Sequence, residues 1–230
     1  DNARVLGLGE TMRFMECCEG EKRMADKLEL FAKKHIDGHA PGIRGKEVQA
    51  YRLAGVENDH ECSTAEEVLD KLRAGLHIYV REGSGAKNLE TLIKTMLDAG
   101  VCLDRCAFCT DDKHVEEIRK EGHISTCIRK AIALGVPVAK AYKMGSYQAA
   151  EFYGLKNYGA IGAGYRADIV FLDDLEQVRP LDVMKDGRIL TEEDYAKDYS
   201  VPVPDELLHT VHVGEVTKEK IRLSCDGKTD

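Results

Sequence analysis

The sequence contains no tryptophan and only five prolines, and aromatic residues make up 6% of its 230 positions. No apolar run approaches the roughly 18 residues that a membrane-spanning helix requires. The first residues lead directly into a strand pattern, without the charged and apolar regions of a signal peptide. We therefore expect neither a membrane segment nor a secretory leader.

An excess of basic residues is also missing. There are 33 lysines and arginines against 41 aspartates and glutamates, which gives a formal net charge of -8. This balance argues against a nucleic-acid-binding protein that relies on phosphate contacts. The hydrophobic fraction of 43% is that of an ordinary globular protein, and the length suffices for one large domain or two small ones.

The cysteines show no disulfide framework. The eight are Cys17, Cys18, Cys62, Cys102, Cys106, Cys109, Cys127 and Cys225. Several fall inside strand or helix patterns, which is typical of free thiols in a reducing environment, so we expect a cytoplasmic protein. Cys102, Cys106 and Cys109 lie close together, but a second paired Cys-x-x-Cys is absent, and buried thiols are favoured over a zinc site.

Strand and helix patterns alternate through the first half of the chain. A buried strand is predicted at residues 3–10, and further strands are predicted at 36–40, 56–60, 76–80 and 105–110. Helices are predicted between them at 21–34, 46–53, 63–74 and 86–99. Such alternation indicates parallel βαβ units and an α/β fold. We expect helix 63–74 to begin with a capping pattern at Ser63 and Thr64.

The alternation of strands and helices ends after Asp112. Two successive helices are predicted at 123–134 and 138–153, followed by strands at 167–172, 178–183 and 188–190 and a strand-like run at 210–213. An Asp-Gly pair at residues 186–187 predicts a hairpin. We expect two domains, a β/α region over 1–157 and a small β module over 158–230.

Four of the predicted strands end in a side chain that can bind a metal. These residues are Glu10, His39, His60 and Asp111. The carboxyl ends of parallel strands in a β/α barrel meet at one face. Imidazoles and carboxylates together suit Mn²⁺, Fe²⁺ or Zn²⁺, and a metal-activated water with a neighbouring carboxylate can hydrolyse a C–N bond. Taken singly, each residue is equally compatible with a capped or solvent-exposed strand end.

Several motifs resemble those of the adenine deaminases, a family of the metal-dependent amidohydrolase superfamily. They run through nearly the whole chain in the family's order. The matching stretches are Leu6–Glu10, Ile36–Gly42, Asn58–Cys62, Arg81–Ser84, Cys109–Asp112, Gly122–Ile124 together with Ile128–Gly135, and Gly164–Val170.

The resemblance implies a role for each site residue. Glu10 would bridge two metal ions, with His39 and His60 as ligands and Asp111 as both ligand and proton shuttle. The implied cofactor is a dinuclear centre of manganese or iron, with zinc as a further option. The implied reaction is attack of hydroxide on C6 of adenine, giving hypoxanthine and ammonia. Glu61 would take part in catalysis, and it would line the purine pocket with Arg81, Glu82 and Ser84.

One feature of the family is missing from the chain. No His-x-His pair precedes Glu10. By the resemblance, the chain enters at about the fourth of eight barrel strands, so we expect strands 4–8 of a TIM-like (β/α)8 barrel followed by part of a small β-sandwich module. Two alternatives stay open: an amidohydrolase acting on another cyclic amidine or amide, and a catalytically incomplete fragment or degenerate subunit. The sequence is compatible with a homo-oligomer.

Overall fold

Five short strands alternate with helices between Gly7 and Cys109 in the computed structural model, which describes residues 4–197 and 200–223. The strands are β1 (Gly7–Thr11), β2 (His35–Gly38), β3 (Asn58–Asp59), β4 (His77–Arg81) and β5 (Cys106–Cys109). The helices between them are α1 (Phe14–Glu19), α2 (Lys22–Leu30), α3 (Gly45–Leu53), α4 (Ala65–Arg73) and α5 (Leu89–Asp98). The predicted alternation is confirmed.

All pairings among these five strands are parallel. β1 pairs with β2, and β3, β4 and β5 form a second ladder in that order. The two ladders lie side by side, because the N–H of Glu57 donates to the carbonyl of Ile36 at 3.0 Å and connects β3 to β2. The strands therefore follow one another in space as they do in sequence, and their carboxyl ends lie at one edge.

Glycine allows β2 to lie unusually close to its neighbours. A Cβ atom at Gly38 would lie 2.0 Å from the carbonyl oxygen of Asn58, and one at Gly7 would lie 2.5 Å from that of His35. Real Cβ atoms do not approach backbone oxygens so closely, so these two positions require glycine. By contrast, a Cβ atom at Gly9 would meet no atom within 4 Å.

A helical region follows β5. It consists of α6 (Val115–Glu121), α7 (Ile124–Ala133), α8 (Val138–Gly145) and α9 (Tyr147–Phe152). The prediction of one helix over 138–153 is wrong, because the backbone breaks at Ser146 with φ -148° and ψ -77°. Helices α1 and α6 were not expected; α6 buries none of its residues, so it has no apolar stripe to reveal it.

Three antiparallel strands complete the first of two compact units, which are Asp1–Leu190 and Thr191–Asp230. They are β6 (Ile169–Leu172), β7 (Pro180–Lys185) and β8 (Arg188–Ile189). Positive φ angles at Asp186 and Gly187 confirm the predicted hairpin. The expected domain change at 157–158 falls within this unit and stays a prediction.

Two short helices are described in the second unit, α10 (Glu192–Tyr195) and α11 (Asp205–Leu208). The strand expected at 210–213 is wrong, since this segment forms no strand, and Val211 and Val213 are exposed. None of the helices in the described ranges is both long and apolar enough to cross a membrane.

Two apolar clusters support the strands. One includes Val80 and Phe108 of β4 and β5 together with Ile93 of α5. The other packs Ile36 of β2 against α1, α2 and α3. The expectation that the first strand is buried is wrong: β1 pairs only with β2 in the described chain, and the preceding Leu6 is 69% exposed. The apolar residues of β1 do not by themselves show whether a second strand lies next to it.

The capping box predicted at the start of α4 is present and gives a first testable prediction. The Thr64 side chain accepts the N–H of Glu67 at 3.3 Å, and the Glu67 carboxylate accepts the N–H of Thr64 at 3.0 Å. Thr64→Ala should lower the free energy of unfolding in urea by about 1 kcal/mol. The control Glu66→Ala removes an exposed side chain in the same turn and should change it by less than about 0.5 kcal/mol. Equal losses would contradict a stabilising cap.

Candidate metal centre

The carboxyl ends of the parallel strands bring three of the predicted ligands together. Glu10 lies in β1, and His39 and His60 follow β2 and β3 directly. One donor atom from each of the three lies within 4.8 Å of the other two, which is a geometry that could hold a metal ion. Elsewhere in the described ranges no second group of three such residues occurs, so Cys102, Cys106 and Cys109 do not form one.

The distances within this cluster fit ligands around an ion better than hydrogen bonds. Nδ1 of His39 lies 3.5 Å from Oε2 of Glu10, and Nε2 of His60 lies 3.5 Å from Oε1 of the same carboxylate. Hydrogen bonds between nitrogen and oxygen are shorter, at about 2.7–3.2 Å. Two donors that each lie about 2.1 Å from one ion are separated by about 3 to 3.5 Å. The cluster therefore has room for a cation between its side chains.

His39 carries a second sign of a metal ligand. Its Nδ1 atom is buried and has no hydrogen-bond partner within the described structure. A buried polar atom without a partner is costly, and a metal ion is one way to satisfy it. The backbone of His39 is held in place, because its N–H donates to the Tyr51 hydroxyl at 3.0 Å and that hydroxyl donates to the carbonyl of Thr11 at 2.9 Å. Buried Tyr51 thereby connects the carboxyl ends of β1 and β2.

Glu61 and Arg81 form a charged pair beside the cluster. Oε1 of Glu61 lies 3.6 Å from Nδ1 of His39 and 3.5 Å from Nε2 of His60. The guanidinium of Arg81 donates to both carboxylate oxygens of Glu61, and the bond from Nη2 to Oε2 is 3.1 Å long. The same guanidinium also donates to the carboxylate of Asp111 at 3.2 Å, through Nη1, and to the side-chain oxygen of Asn88 at 3.3 Å, through Nη2. Arg81 therefore holds two carboxylates of the predicted site at once.

Burial disfavours the charge on Arg81, but the neighbouring carboxylates outweigh it. The pKa of Arg81 is lowered by desolvation and raised more strongly by Glu61 and then Asp111, so the net direction is upward. The guanidinium stays charged and fully engaged with protein groups. The predicted contact between Arg81 and a purine stays a prediction, and in this structure its donors are directed to the two carboxylates.

Asp111 lies beside the three-residue cluster but is not part of it. It lines a cavity of about 260 Å³ together with Glu10 and His60, and its carboxylate is bound by Arg81. The backbone of Asp111 has a φ of 46°, in the left-handed region that aspartate tolerates better than most residues. The preceding residue, Thr110, contacts Nε2 of His123 through its hydroxyl at 2.7 Å. This bent end of β5 directs Asp111 towards the cavity.

Glu82 and Ser84 make their contacts elsewhere. Glu82 is buried and pairs with Lys130 at 2.5 Å. Ser84 donates to Glu117 at 2.7 Å, and its hydroxyl accepts the N–H of His114 at 2.9 Å. Among the residues that the structure describes, no hydrogen bond of either one reaches Glu10, His39 or His60. Their roles as purine-binding residues stay predictions.

Sequence reasoning missed the buried polar residues beneath the cluster. Asp59, Lys71 and Tyr51 are fully buried and bind the backbone around the histidines. A signal existed for Asp59, which stands beside His60 in the sequence. Lys71 lies on an amphipathic helix, where a lysine is normally read as part of the solvated face.

The cysteines agree with the expectation of free thiols as far as the structure describes them. Seven are free, and Cys225 lies outside the described residues. Burial raises the pKa of the Cys106 thiol to about 12 and of the Cys127 thiol to about 12, so neither is a reactive thiolate at neutral pH.

Comparison with curated proteins shows close similarity to adenine deaminases. The chain is 41% identical over 223 residues to an adenine deaminase of Desulfitobacterium hafniense, covering 97% of this chain and 39% of that protein. It is 41% identical over 230 residues to an adenine deaminase of Clostridium acetobutylicum, covering 98% of this chain and 40% of that one. The chain thus spans about 40% of the length of these relatives.

Solved structures show the same fold. A β-aspartyl dipeptidase of Fervidobacterium islandicum AW-1, solved with a β-Asp-Leu dipeptide, superimposes with a TM-score of 0.62 at 17% identity, covering 87% of this chain and 61% of the dipeptidase chain. The sequence model of the amidohydrolase family matches residues 19–190, which is most of the chain. The chain therefore belongs to the amidohydrolase family.

Proposed function

We propose that this chain carries the metal centre of an adenine deaminase, which hydrolyses adenine to hypoxanthine and ammonia. The observation that carries the proposal is the convergence of Glu10, His39 and His60, with a buried and unpartnered Nδ1 on His39. The identity of 41% to proteins named adenine deaminase supports adenine as the substrate.

The donor set fits a divalent cation, which the amidohydrolase family implies. Imidazole nitrogens and carboxylate oxygens suit Mn²⁺ or Fe²⁺, and also Zn²⁺. Each oxygen of Glu10 faces a different imidazole, at 3.5 Å in both cases. In a dinuclear centre, Glu10 would be the ligand that both ions share, and His39 and His60 would be the other ligands from this chain.

The remaining acidic residues fit the proton transfers of the reaction. A divalent metal, when bound, lowers the pKa of a water molecule and so supplies hydroxide at neutral pH. Addition of water at C6 of adenine requires a proton at the ring nitrogen and another at the departing amino group. We assign these transfers to the carboxyl groups of Asp111 and Glu61. Arg81 binds both of them and fixes their separation.

The five consecutive parallel strands support a larger architecture. We assign them to strands 4–8 of a TIM-like barrel, since β1 to β5 keep the chain order of βα units in such barrels. We assign β6, β7 and β8 to part of a small β sandwich, because they form an antiparallel sheet after the β/α region. The cytoplasmic location and self-association stay predictions.

Substitution of Asp111 tests the proposed chemistry. Asp111→Asn keeps the size of the side chain and tolerates the left-handed backbone, but it cannot accept a proton. We expect the rate of adenine deamination by the manganese-loaded protein to fall by about 10²- to 10⁴-fold, measured as ammonia release under reducing conditions. The thermal unfolding temperature should be nearly unchanged.

Asp186→Asn is the matched control, because Asp186 is also left-handed, with a φ of 51°, but lies in the β7–β8 hairpin. It should leave the rate unchanged. Wild-type turnover in Asp111→Asn would contradict the assignment of Asp111. If the protein deaminates or hydrolyses another cyclic amidine or amide but not adenine, the proposed substrate is wrong and that compound class takes its place. No turnover of any such ring would favour a catalytically incomplete chain.

A further inference from the structure

A completely buried lysine lies beneath the two histidine-bearing strand ends. Lys71 extends from α4, and its side chain has no exposed surface. Its ammonium donates to the carbonyl of Ala40 at 2.7 Å and to Oδ2 of Asp59 at 3.0 Å. Ala40 follows His39, and Asp59 precedes His60. A single side chain therefore connects the segment that carries one histidine to the segment that carries the other.

The partners of Lys71 extend these connections. Oδ1 of Asp59 accepts the N–H of Ala40 at 2.8 Å, and Oδ2 accepts the N–H of Glu61 at 3.0 Å. Glu67, at 3.7 Å from the ammonium, accepts the N–H of Gly42 at 2.5 Å. The backbone next to both histidines is thus bonded to one buried ionic cluster.

Lys71 is charged in this position. Burial lowers the pKa of the ammonium, but Asp59, Cys62 and Glu67 together raise it by more, so the net direction is upward. A buried ion pair is weak evidence for stability, because desolvation offsets most of its attraction. Removing the ammonium would leave the buried Asp59 carboxylate without its cation. The carboxylate would then draw in water or move, and it would move the N–H groups of Ala40 and Glu61 with it.

We propose that Lys71 is a positioning residue of the metal centre, setting the spacing between His39 and His60. This inference rests on the proposed function, since it requires that the two histidines bind metal. Metal ligands must be held within about 0.5 Å of their working geometry, and the residues that orient them influence affinity strongly. Lys71 acts through the residues next to each histidine, since its ammonium binds the carbonyl of Ala40 and the carboxylate of Asp59.

Cobalt binding to the intact 230-residue chain tests the inference. Co²⁺ accepts the same nitrogen and oxygen donors, and its visible absorption reports the ligand geometry. Lys71→Met keeps most of the side-chain length and removes the charge. We expect the dissociation constant for Co²⁺ to rise about 10- to 100-fold, with a changed visible spectrum in a protein that still shows the wild-type circular dichroism.

Val68→Ala is the matched control. Val68 is equally buried on the same helix, but its side chain is apolar and belongs to the hydrophobic cluster of β4 and β5. This variant should lose thermal stability and keep the wild-type cobalt spectrum and affinity. An equal loss of affinity in Lys71→Met and Val68→Ala would overturn the inference, because general destabilisation would then explain both.

Two further outcomes separate this inference from the proposed function. Cobalt binding by Lys71→Met with the wild-type constant and spectrum would overturn the role of Lys71 and leave the metal centre standing. A wild-type chain that binds no Co²⁺ would overturn both. If Lys71→Met does not fold, Lys71→Gln replaces it, since the amide nitrogen of glutamine can still donate hydrogen bonds. A smaller rise in the dissociation constant is then expected, and an unchanged constant would again overturn the inference.

Discussion

Replacing His60 by alanine should lower the affinity for divalent metal by more than about 100-fold. This loss is larger than the loss of about 10- to 100-fold that follows when a residue that only orients a metal ligand is removed. His60 supplies one of three donor atoms that lie within 4.8 Å of one another. Its loss leaves Glu10 and His39 as the pair, and two donors hold an ion far less tightly than three. The fold should persist, because the strand end that carries His60 is held by Asp59 through hydrogen bonds that do not involve the imidazole.

Isothermal titration with Mn²⁺ and metal analysis after dialysis would measure the change. His77→Ala is the control, because His77 starts β4, whereas His60 follows the end of β3. The ring of His77 packs against Phe152 with centroids 4.4 Å apart, so this variant should lose stability and retain metal. Equal metal binding by His60→Ala and wild type would remove His60 from the ligand set, and equal loss in both variants would point to unfolding.

The strand ends of the metal centre were predictable because parallel βα units leave little freedom in where a strand ends. Glu10, His39 and His60 each stand at the end of a predicted strand, and the structure places them together. A periodic pattern, however, locates the backbone and not the partners of a side chain. Asp111 also ends a strand, yet its carboxylate is bound by Arg81, a residue that the resemblance assigned to the purine.

Two further differences between sequence and structure lie within helices. Lysine side chains are usually solvated, and only the structure shows that Lys71 pairs with Asp59 in the interior. The break at Ser146 directly follows Gly145, a residue type that weakens a helix but does not by itself show where the helix ends.

Gly38→Ala should be the most destabilising small substitution among the glycines of the motifs. A Cβ atom at Gly38 would lie 2.0 Å from the backbone oxygen of Asn58 and 2.9 Å from a methyl carbon of Val56. Because the nearest atom belongs to the backbone of β3, no side-chain rotation can relieve the clash. β2 and β3 would have to separate, which would also weaken the hydrogen bond from Gly38 N–H to Asn58 at 2.8 Å.

We expect Gly38→Ala to lower the free energy of unfolding in urea by about 3 kcal/mol, at the upper end of the range for overpacking. Gly9→Ala is the control, since its Cβ would meet no atom within 4 Å and Gly9 has no positive φ; the expected change is within about 0.5 kcal/mol. Equal effects would show that the strands can separate freely. A large difference would show that Gly38, the glycine of the Asp-Gly-His motif, sets the spacing between β2 and β3. This spacing matters for the metal centre, because His39 reaches Glu10 and His60 only when β2 lies this close to β3.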